Sequence, residues 1–195
     1  MRRAVTVVMG SLGIAVALLS CSAPPREPES TEPAAAAPTS SPAPSDTLVA
    51  AAVKDAKASG KVVLIEFGAS WCTWCTRFQN FIHTPDVAPI VTRNYVVLTL
   101  TTKEHENKKA LENPGADKAM EEWGGGKSGL PFYVFLDGTG KKIGDSNAMP
   151  DGTNIGFPAT PEEITHFVSL VERTAPAFSA ADRAVFLQHL QPVSE

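Results

Sequence analysis

The sequence predicts an α/β domain whose mixed β-sheet is covered by helices on both faces and follows a disordered N-terminal tether. Residues 62–67 and 95–100 have the length and the apolar or β-branched composition of strands, and a helical pattern separates them. A third strand at 132–136 is followed by a turn at 137–140 and a short strand at 141–144. A βαβ unit followed by ββα is typical of a mixed sheet between helices.

The composition limits the classes of function. The chain has 195 residues, of which 43% are hydrophobic, enough for one packed domain with appendages. Its net charge of −4 becomes −6, 15 basic against 21 acidic residues, once Arg2 and Arg3 leave with a leader. No basic stripe remains that could bind nucleic acid, so nucleic acid is not an expected partner.

Residues 1–20 predict a secretory signal peptide. Arg2 and Arg3 precede an almost uninterrupted apolar stretch that is short for a membrane-spanning helix. The sequence Leu18-Leu19-Ser20-Cys21 resembles a bacterial lipobox, which implies cleavage before Cys21 and lipidation of that cysteine. Acyl chains on Cys21 would anchor the protein to a membrane. Ordinary signal cleavage and an uncleaved membrane anchor are the alternatives.

Residues 21–45 predict a linker rather than a folded segment. They consist almost wholly of Pro, Ala, Ser, Thr and a few charges, with seven prolines. Such a composition buries too little apolar surface to order itself. We interpret it as a semi-extended tether that lifts a domain off a membrane, with a neutral disordered tail as the alternative.

The domain begins near residue 46 with a helix that Ser45 or Asp46 can cap and that ends at Gly60. The strand at 62–67 is a continuous apolar run, which is typical of the centre of a sheet. The next helix opens with two cysteines and ends or kinks around Thr84-Pro85.

A polar stretch, residues 101–129, separates the second and third strands. Residues 103–112 and 116–123 predict exposed helices, broken at Asn113-Pro114-Gly115. Their many charges favour a solvated face over a docking surface.

Two predicted helices complete the chain. Thr160-Pro161-Glu162-Glu163 is a capping box with Pro at the first helical position, and its helix runs to about Arg173. We therefore assign residues 46–174 to the domain. Ser179 to Asp182 caps a last amphipathic helix within residues 175–195, which we interpret as a C-terminal extension.

Cys72 and Cys75 are the strongest chemical signal. They follow a buried strand and open a helix, whose free N–H groups and partial positive charge favour a thiolate. A c-type haem attachment is excluded, because Thr76 occupies the position where that motif needs His. We predict Cys72 as the nucleophile and Cys75 as the more buried resolving thiol of a redox-active disulfide. A static disulfide and a metal half-site are the alternatives.

With these residues placed, residues 46–174 resemble the thioredoxin superfamily. The resemblance rests on Trp71-Cys72-Thr73-Trp74-Cys75 after the buried strand, on Glu66 six residues before Cys72, and on Gly129-Leu130-Pro131 before the third strand. The domain is similar to secreted bacterial thioredoxin-like proteins of the disulfide-reductase kind. It departs from them in having Thr73-Trp74 between the cysteines and a longer stretch at 101–128.

The resemblance implies a catalytic role for Glu66. An acidic residue in an apolar strand is costly unless it is paired or useful. Glu66 would accept the proton of Cys75 during resolution, with a pKa raised by burial. Pairing with Lys61 near the sheet edge is the alternative.

The resemblance also implies a substrate groove beside the cysteines. Pro131 would follow a cis peptide bond and present the Leu130 backbone to a client strand. Trp71 and Trp74 would form the apolar lip of this groove. Alternatively, one tryptophan packs in the core, Trp71 rather than Trp74.

These features predict an enzyme, a thiol–disulfide oxidoreductase that acts on protein disulfides through Cys72 and Cys75, with reduction slightly favoured. The leader places it in the cell envelope, lipid-anchored and facing the periplasm or the extracellular side. Expected partners are client proteins with disulfides and a membrane or periplasmic thiol electron donor. No cofactor and no metal is expected. The alternative is a binding or copper-delivery module without exchange turnover, although no Met or His cluster accompanies the thiols.

Overall fold

A computed structural model describes residues 41–192. The elements are α1 Ser45–Ser59, β1 Val62–Gly68, α2 Thr73–Ile82, α3 Ala88–Asn94, β2 Tyr95–Thr101, a 3₁₀ helix Glu106–Leu111, α4 Ala116–Glu122, β3 Phe132–Leu136, β4 Lys142–Asp145, α5 Pro161–Thr174 and α6 Ala180–His189. The predicted signal peptide, Cys21 and most of the predicted linker lie outside the described residues. Within residues 41–192, no helix combines the length and hydropathy needed to cross a membrane.

The four strands form one mixed sheet in the order β2-β1-β3-β4. Strand β1 pairs in parallel with β2 and antiparallel with β3, and β3 pairs antiparallel with β4. This arrangement confirms the predicted thioredoxin-like sheet. All seven residues of β1 are buried, as its continuous apolar run predicts for a central strand.

Helices cover both faces of the sheet, and each face has its own apolar cluster. Helices α1 and α4 cover the face that carries Val63, Ile65 and Phe67. Helices α2, α3, α5 and α6 cover the opposite face, where Leu64 points. Since side chains alternate along a strand, Glu66 shares the face of Leu64 and lies beneath the helices on that side. The sheet therefore places Glu66 under the helix that carries the cysteines.

Helix α6 is packed onto this second cluster. Its Phe186 is buried and contacts Phe81 of α2 edge-on, with ring centroids 5.1 Å apart. The Phe167 ring of α5 stacks on the Phe186 ring, with centroids 6.3 Å apart. The predicted capping box at Thr160 is present at the start of α5, and the predicted cap of α6 at Ser179 also forms a capping box.

The start of α1 differs from the prediction. Pro44, not Ser45 or Asp46, occupies the N-cap position. Asp46 lies inside the first turn, where its Oδ1 accepts a hydrogen bond from the Thr47 backbone N–H at 2.6 Å. Ser45 is buried instead, and its backbone N–H donates to the Pro114 carbonyl at 2.9 Å. For Ser45, a contact with a distant loop therefore replaces the predicted cap. The predicted end at Gly60 is confirmed by its left-handed conformation, with φ 68°.

Two other helical segments differ from the sequence pattern. The predicted helix at 103–112 is only a short 3₁₀ helix, Glu106–Leu111, which has no buried residue to hold a longer one. Helix α3 was not predicted after the break that Thr84-Pro85 indicates; Pro89 lies in its first turn, where proline is tolerated. The buried residues Ile90 and Val91 hold α3 against the sheet, so packing decides its conformation.

Candidate active site

Cys72 and Cys75 lie at the N-terminus of α2 and form a disulfide, with Cα atoms 5.3 Å apart. Cys72 is the N-cap residue, and its Sγ accepts a hydrogen bond from the Cys75 backbone N–H at 3.0 Å. In the reduced protein this N–H and the partial charge of the helix favour a thiolate on Cys72. The geometry therefore favours Cys72 as the attacking sulfur.

Burial does not distinguish the two sulfurs in the disulfide form. Cys72 is 4% exposed and Cys75 is 6% exposed. Because one covalent bond joins the sulfurs, they lie at a similar depth, and the prediction that Cys75 is the more buried is wrong for this form. Their surroundings differ instead: Cys72 caps the helix, whereas Cys75 faces a cleft lined by Glu66.

Glu66 is completely buried. Its Oε2 accepts hydrogen bonds from Gln79 Nε2 and, at 3.4 Å, from Thr99 Oγ1. Its Oε1 has no hydrogen-bond partner among the described residues. Burial raises the pKa of Glu66 from its ordinary value of 4.5 to about 7, and the hydrogen bonds from Gln79 and Thr99 oppose that rise. The partners are thus neutral groups, and the alternative pairing with Lys61 is not observed.

Glu66 and Cys75 border the same small space beside Gly68. A methyl group at Gly68 would lie 3.4 Å from Cys75 Sγ and 3.7 Å from Glu66 Oε1. Both side chains line a cleft of about 430 Å³, here called the acid cleft, with Gln79 and Thr99. The geometry thus matches a proton exchange between Glu66 and the second cysteine.

A second cleft, of about 730 Å³, lies on the side of Trp74. We call it the aromatic groove; its lining includes Trp74, Gly129, Leu130, Asn154 and Phe157. The Trp74 and Phe157 rings stack with centroids 6.2 Å apart. Trp74 is still 42% exposed, so its ring offers apolar surface to a ligand in the groove.

The predicted cis peptide bond directly follows Leu130, a lining residue of the aromatic groove. The bond between Leu130 and Pro131 is cis. Asn154 Nδ2 donates to the carbonyls of Gly129 and Pro131, at 3.0 and 3.1 Å. These two contacts hold the backbone on both sides of Leu130 in a fixed position. The structure therefore places Trp74 and Leu130, the residue before Pro131, along one groove.

Trp71 lies apart from this groove. Its ring stands 5.5 Å from the His105 ring, and its Nε1 donates to the Lys103 carbonyl at 2.8 Å. Trp71 does not line the aromatic groove. It is 47% exposed, so the alternative in which one tryptophan packs in the core is wrong for both.

The polar segment after β2 holds the loop that precedes Cys72. Glu104 is buried, and its carboxylate accepts hydrogen bonds from the backbone N–H and, at 2.9 Å, the hydroxyl of Ser70. Lys108 Nζ donates to the same hydroxyl at 3.1 Å. Together with the bond from Trp71 to Lys103, these contacts fix the two residues before Cys72.

The sequence did not predict several of these contacts. Gln79 follows Cys75 by four residues, so helical spacing could have placed both on one face of α2. Thr99 lies directly opposite Glu66 across the β1–β2 pair, which only the strand register reveals. Glu104 and Phe157 reach the site from distant loops and leave no local signal.

Solved structures of disulfide-handling proteins are similar to this chain. A disulphide isomerase from Xylella fastidiosa Temecula1 is 20% identical, covers 57% of this chain and 80% of its own, and has a TM-score of 0.46. A DsbH oxidoreductase is 21% identical over 63% and 78%, with a TM-score of 0.40. The C-terminal domain of Neisseria meningitidis DsbD in its oxidised form is 20% identical over 54% and 84%, with a TM-score of 0.38. At these identities the likeness indicates no client.

The family comparison covers the part of the chain that contains the candidate active-site residues. No curated protein matches the sequence. The family model described as Thioredoxin-like matches residues 46–138, which include Glu66, both cysteines and Pro131. The mixed sheet and the disulfide at the head of α2 agree with that match. The chain therefore belongs to the thioredoxin superfamily, and its Cys72–Cys75 couple makes it a thiol–disulfide oxidoreductase.

Proposed function

We propose that this oxidoreductase acts on disulfides of client proteins outside the cytoplasm, with reduction slightly favoured over oxidation, while a lipid on Cys21 holds it at the cell envelope. The observation that carries the exchange chemistry is the placement of the two sulfurs. Cys72 caps α2, where a thiolate is favoured, and Cys75 borders the acid cleft with Glu66. A membrane or periplasmic thiol protein would return electrons to the couple.

In the reducing direction, the Cys72 thiolate attacks one sulfur of a client disulfide. A bond forms between Cys72 and that sulfur, the client S–S bond breaks, and the other client sulfur leaves as a thiolate. The aromatic groove lies beside Leu130 and Pro131 and would hold the client strand during this step. The product is a mixed disulfide between Cys72 and the client.

In the resolving step, Cys75 attacks the Cys72 sulfur of the mixed disulfide. The Cys75 proton passes to the Glu66 carboxylate, the Cys72–Cys75 bond forms, and the client sulfur leaves as a thiolate. Client oxidation is the reverse sequence, in which protonated Glu66 returns a proton to the Cys75 thiolate. The same residues therefore serve both directions.

The redox potential of the couple decides the direction. Known couples of this kind span roughly −270 to −120 mV, and a potential near the lower end would support the reductase. Equilibration with glutathione buffers measures it, and insulin reduction measures turnover. We expect insulin reduction by the wild-type protein and none by the Cys72→Ser/Cys75→Ser double variant. Stoichiometric copper(I) binding without exchange activity would instead support the copper-delivery alternative.

The envelope location is proposed from the lipobox-like Leu18-Leu19-Ser20-Cys21 and the proline-rich segment that follows it. Cells expressing the full chain should incorporate labelled fatty acid into the protein, and Cys21→Ser should abolish that label. An unlabelled wild-type protein released into the soluble envelope fraction would contradict the lipid anchor. It would leave the exchange chemistry of Cys72 and Cys75 unaffected.

A further inference from the structure

Gln79 connects the three elements that surround the acid cleft. It lies on α2 four residues after Cys75, so one helix carries both the resolving sulfur and this amide. Gln79 Nε2 donates to Glu66 Oε2 on β1 and, at 3.0 Å, to Thr99 Oγ1 on β2. Thr99 and Glu66 are directly paired in the β1–β2 ladder. Both amide hydrogens of Gln79 are therefore used to hold the acid in place.

The two oxygens of Glu66 have different surroundings. Oε2 receives both hydrogen bonds, from Gln79 and Thr99. Oε1 is buried, lacks a hydrogen-bond partner among the described residues, and lies next to the space that separates it from Cys75 Sγ at Gly68. Because a carboxyl group is planar, fixing one oxygen also fixes where the other one points. Gln79 thus determines which oxygen faces the sulfur.

The charged and titratable groups around Glu66 are few. The cleft lining contains no Lys, Arg or His, and its other acid, Glu104, is bound to Ser70. Tyr133 of β3 is the antiparallel partner of Glu66 in the sheet, and burial raises the pKa of its hydroxyl well above the usual range, which keeps it neutral. From α2, only Cys75 and Gln79 among the lining residues reach the acid in these contacts. A neutral amide, not a cation, is therefore the main ligand of the carboxyl group.

We propose that Gln79 is a positioning residue of the exchange reaction: it holds Glu66 through Oε2 and thereby directs Oε1 at Cys75. This inference rests on the proposed role of Glu66 as proton acceptor. In the resolving step the Cys75 proton moves to Oε1, the Cys72–Cys75 bond forms, and the client sulfur leaves as a thiolate. The Gln79 amide takes no proton itself.

The test separates the two steps of exchange with dithiobis(nitrobenzoate). The reduced protein releases one thionitrobenzoate when Cys72 attacks and a second when Cys75 resolves the mixed disulfide, and stopped-flow absorbance follows both. In wild type the second phase should accelerate with rising pH through about 7, as Glu66 becomes a carboxylate. The Gln79→Leu variant loses both donors, so the inflection should rise by roughly half a pH unit or more. Its plateau rate should fall roughly tenfold, because the acid is no longer oriented.

Gln79→Lys keeps a donor and adds a positive charge, so its inflection should move to lower pH than in wild type. Asn80→Leu makes the same kind of change at the next, exposed position of α2 and should leave both phases as in wild type. An unchanged inflection in both Gln79 variants would overturn the proposal, because a merely structural role would lower the rate equally at every pH. If Gln79→Leu does not fold, Gln79→Lys and a carbon NMR titration of Glu66 in the oxidised protein decide the question.

The Glu66→Gln variant distinguishes failure of this inference from failure of the proposed mechanism. If the inflection near pH 7 persists in Glu66→Gln, Glu66 is not the proton acceptor, and the proposed mechanism fails with it. If the inflection disappears in Glu66→Gln but is unmoved in the Gln79 variants, only the role of Gln79 is refuted.

Discussion

The acid cleft and the aromatic groove flank one disulfide but are formed by different structural elements and different kinds of side chain. The acid cleft joins a central strand to a helix and contains a buried acid with neutral ligands. The aromatic groove is built from loops around a cis proline and presents a partly exposed tryptophan. Cys72 and Cys75 are buried to a similar extent, so their depth cannot assign them roles. Their neighbours can, since one side suits binding of a client and the other suits movement of a proton.

The largest expected effect comes from exchanging the two cysteines one at a time. Cys72→Ser should lower insulin reduction by roughly a thousandfold or more, because no attacking sulfur remains. Cys75→Ser should still attack but should accumulate mixed disulfides, which mass spectrometry of trapped protein detects. If Cys75→Ser stops attack and Cys72→Ser accumulates the mixed disulfides, the two sides of the disulfide have been assigned the wrong way round.

The acid cleft is tested next by Glu66→Gln. The pKa of Glu66 is about 7, so the carboxylate that accepts the Cys75 proton forms as pH rises through that value. Glu66→Gln should slow resolution at neutral pH by roughly a hundredfold and abolish the pH 7 inflection, while attack by Cys72 stays unchanged. The exposed Glu162→Gln is the control. Equal slowing of both steps would indicate a general distortion of the site.

The same acid should also make stability depend on pH. Its pKa is raised in the folded state, so the folded protein binds more protons than the unfolded chain between pH 4.5 and about 7. Stability contributed by protonated Glu66 is therefore complete below pH 4.5 and is lost as pH rises through 7. The loss should be about 3 kcal/mol in the free energy of unfolding.

Urea unfolding of the oxidised protein at acidic and alkaline pH measures this loss. Glu66→Gln carries no titrating group at the position and should lack this part of the pH dependence. It should accordingly gain stability relative to wild type when the pH is raised. If the stability of Glu66→Gln depends on pH as that of wild type does, ionisation of Glu66 does not destabilise the folded protein.

The aromatic groove should give the smallest effect. Trp74→Ala removes the ring that stacks on Phe157, and we expect KM for a disulfide-containing peptide to rise roughly threefold to tenfold. The maximal rate and the pH 7 inflection should stay unchanged, because the acid cleft is untouched. Trp71→Ala serves as the comparison, since its ring lies against His105 outside the groove and should change KM less. A larger increase in KM from Trp71→Ala would indicate that the client binds beside Trp71 and His105 instead of in the aromatic groove.

The sequence predicted features that depend on neighbours along the chain. The strand 62–67, the helix caps at Thr160 and Ser179, and the cysteines at a helix start all follow from local patterns, and each is present. Contacts between distant segments were not predictable in the same way. Ser45 satisfies a loop carbonyl instead of capping α1, and Glu104 reaches back to Ser70.

The surroundings of Glu66 show the difference between what local sequence patterns predict and what they do not. Family resemblance identified Glu66 as important, but it did not identify what holds the carboxyl group. A lysine nearby in sequence was the alternative partner, whereas the strand register and the helix phase select Thr99 and Gln79. A carboxyl group buried in this way depends on the register of two strands, and a strand buried on both faces has no apolar–polar alternation that would define this register.

The position of α6 determines where this domain can be cut when it is transferred into a chimaeric protein. The family match ends at residue 138, yet Phe186 of α6 is wedged against Phe81 and Phe167. Phe81 belongs to α2, the helix that Cys72 caps. Helix α6 therefore packs against the helix that positions the reactive sulfur. A chimaera joined at the end of the match would leave an aromatic patch open to water and prone to self-association. The portable unit therefore extends at least through Leu190, well past the stretch that carries the chemistry.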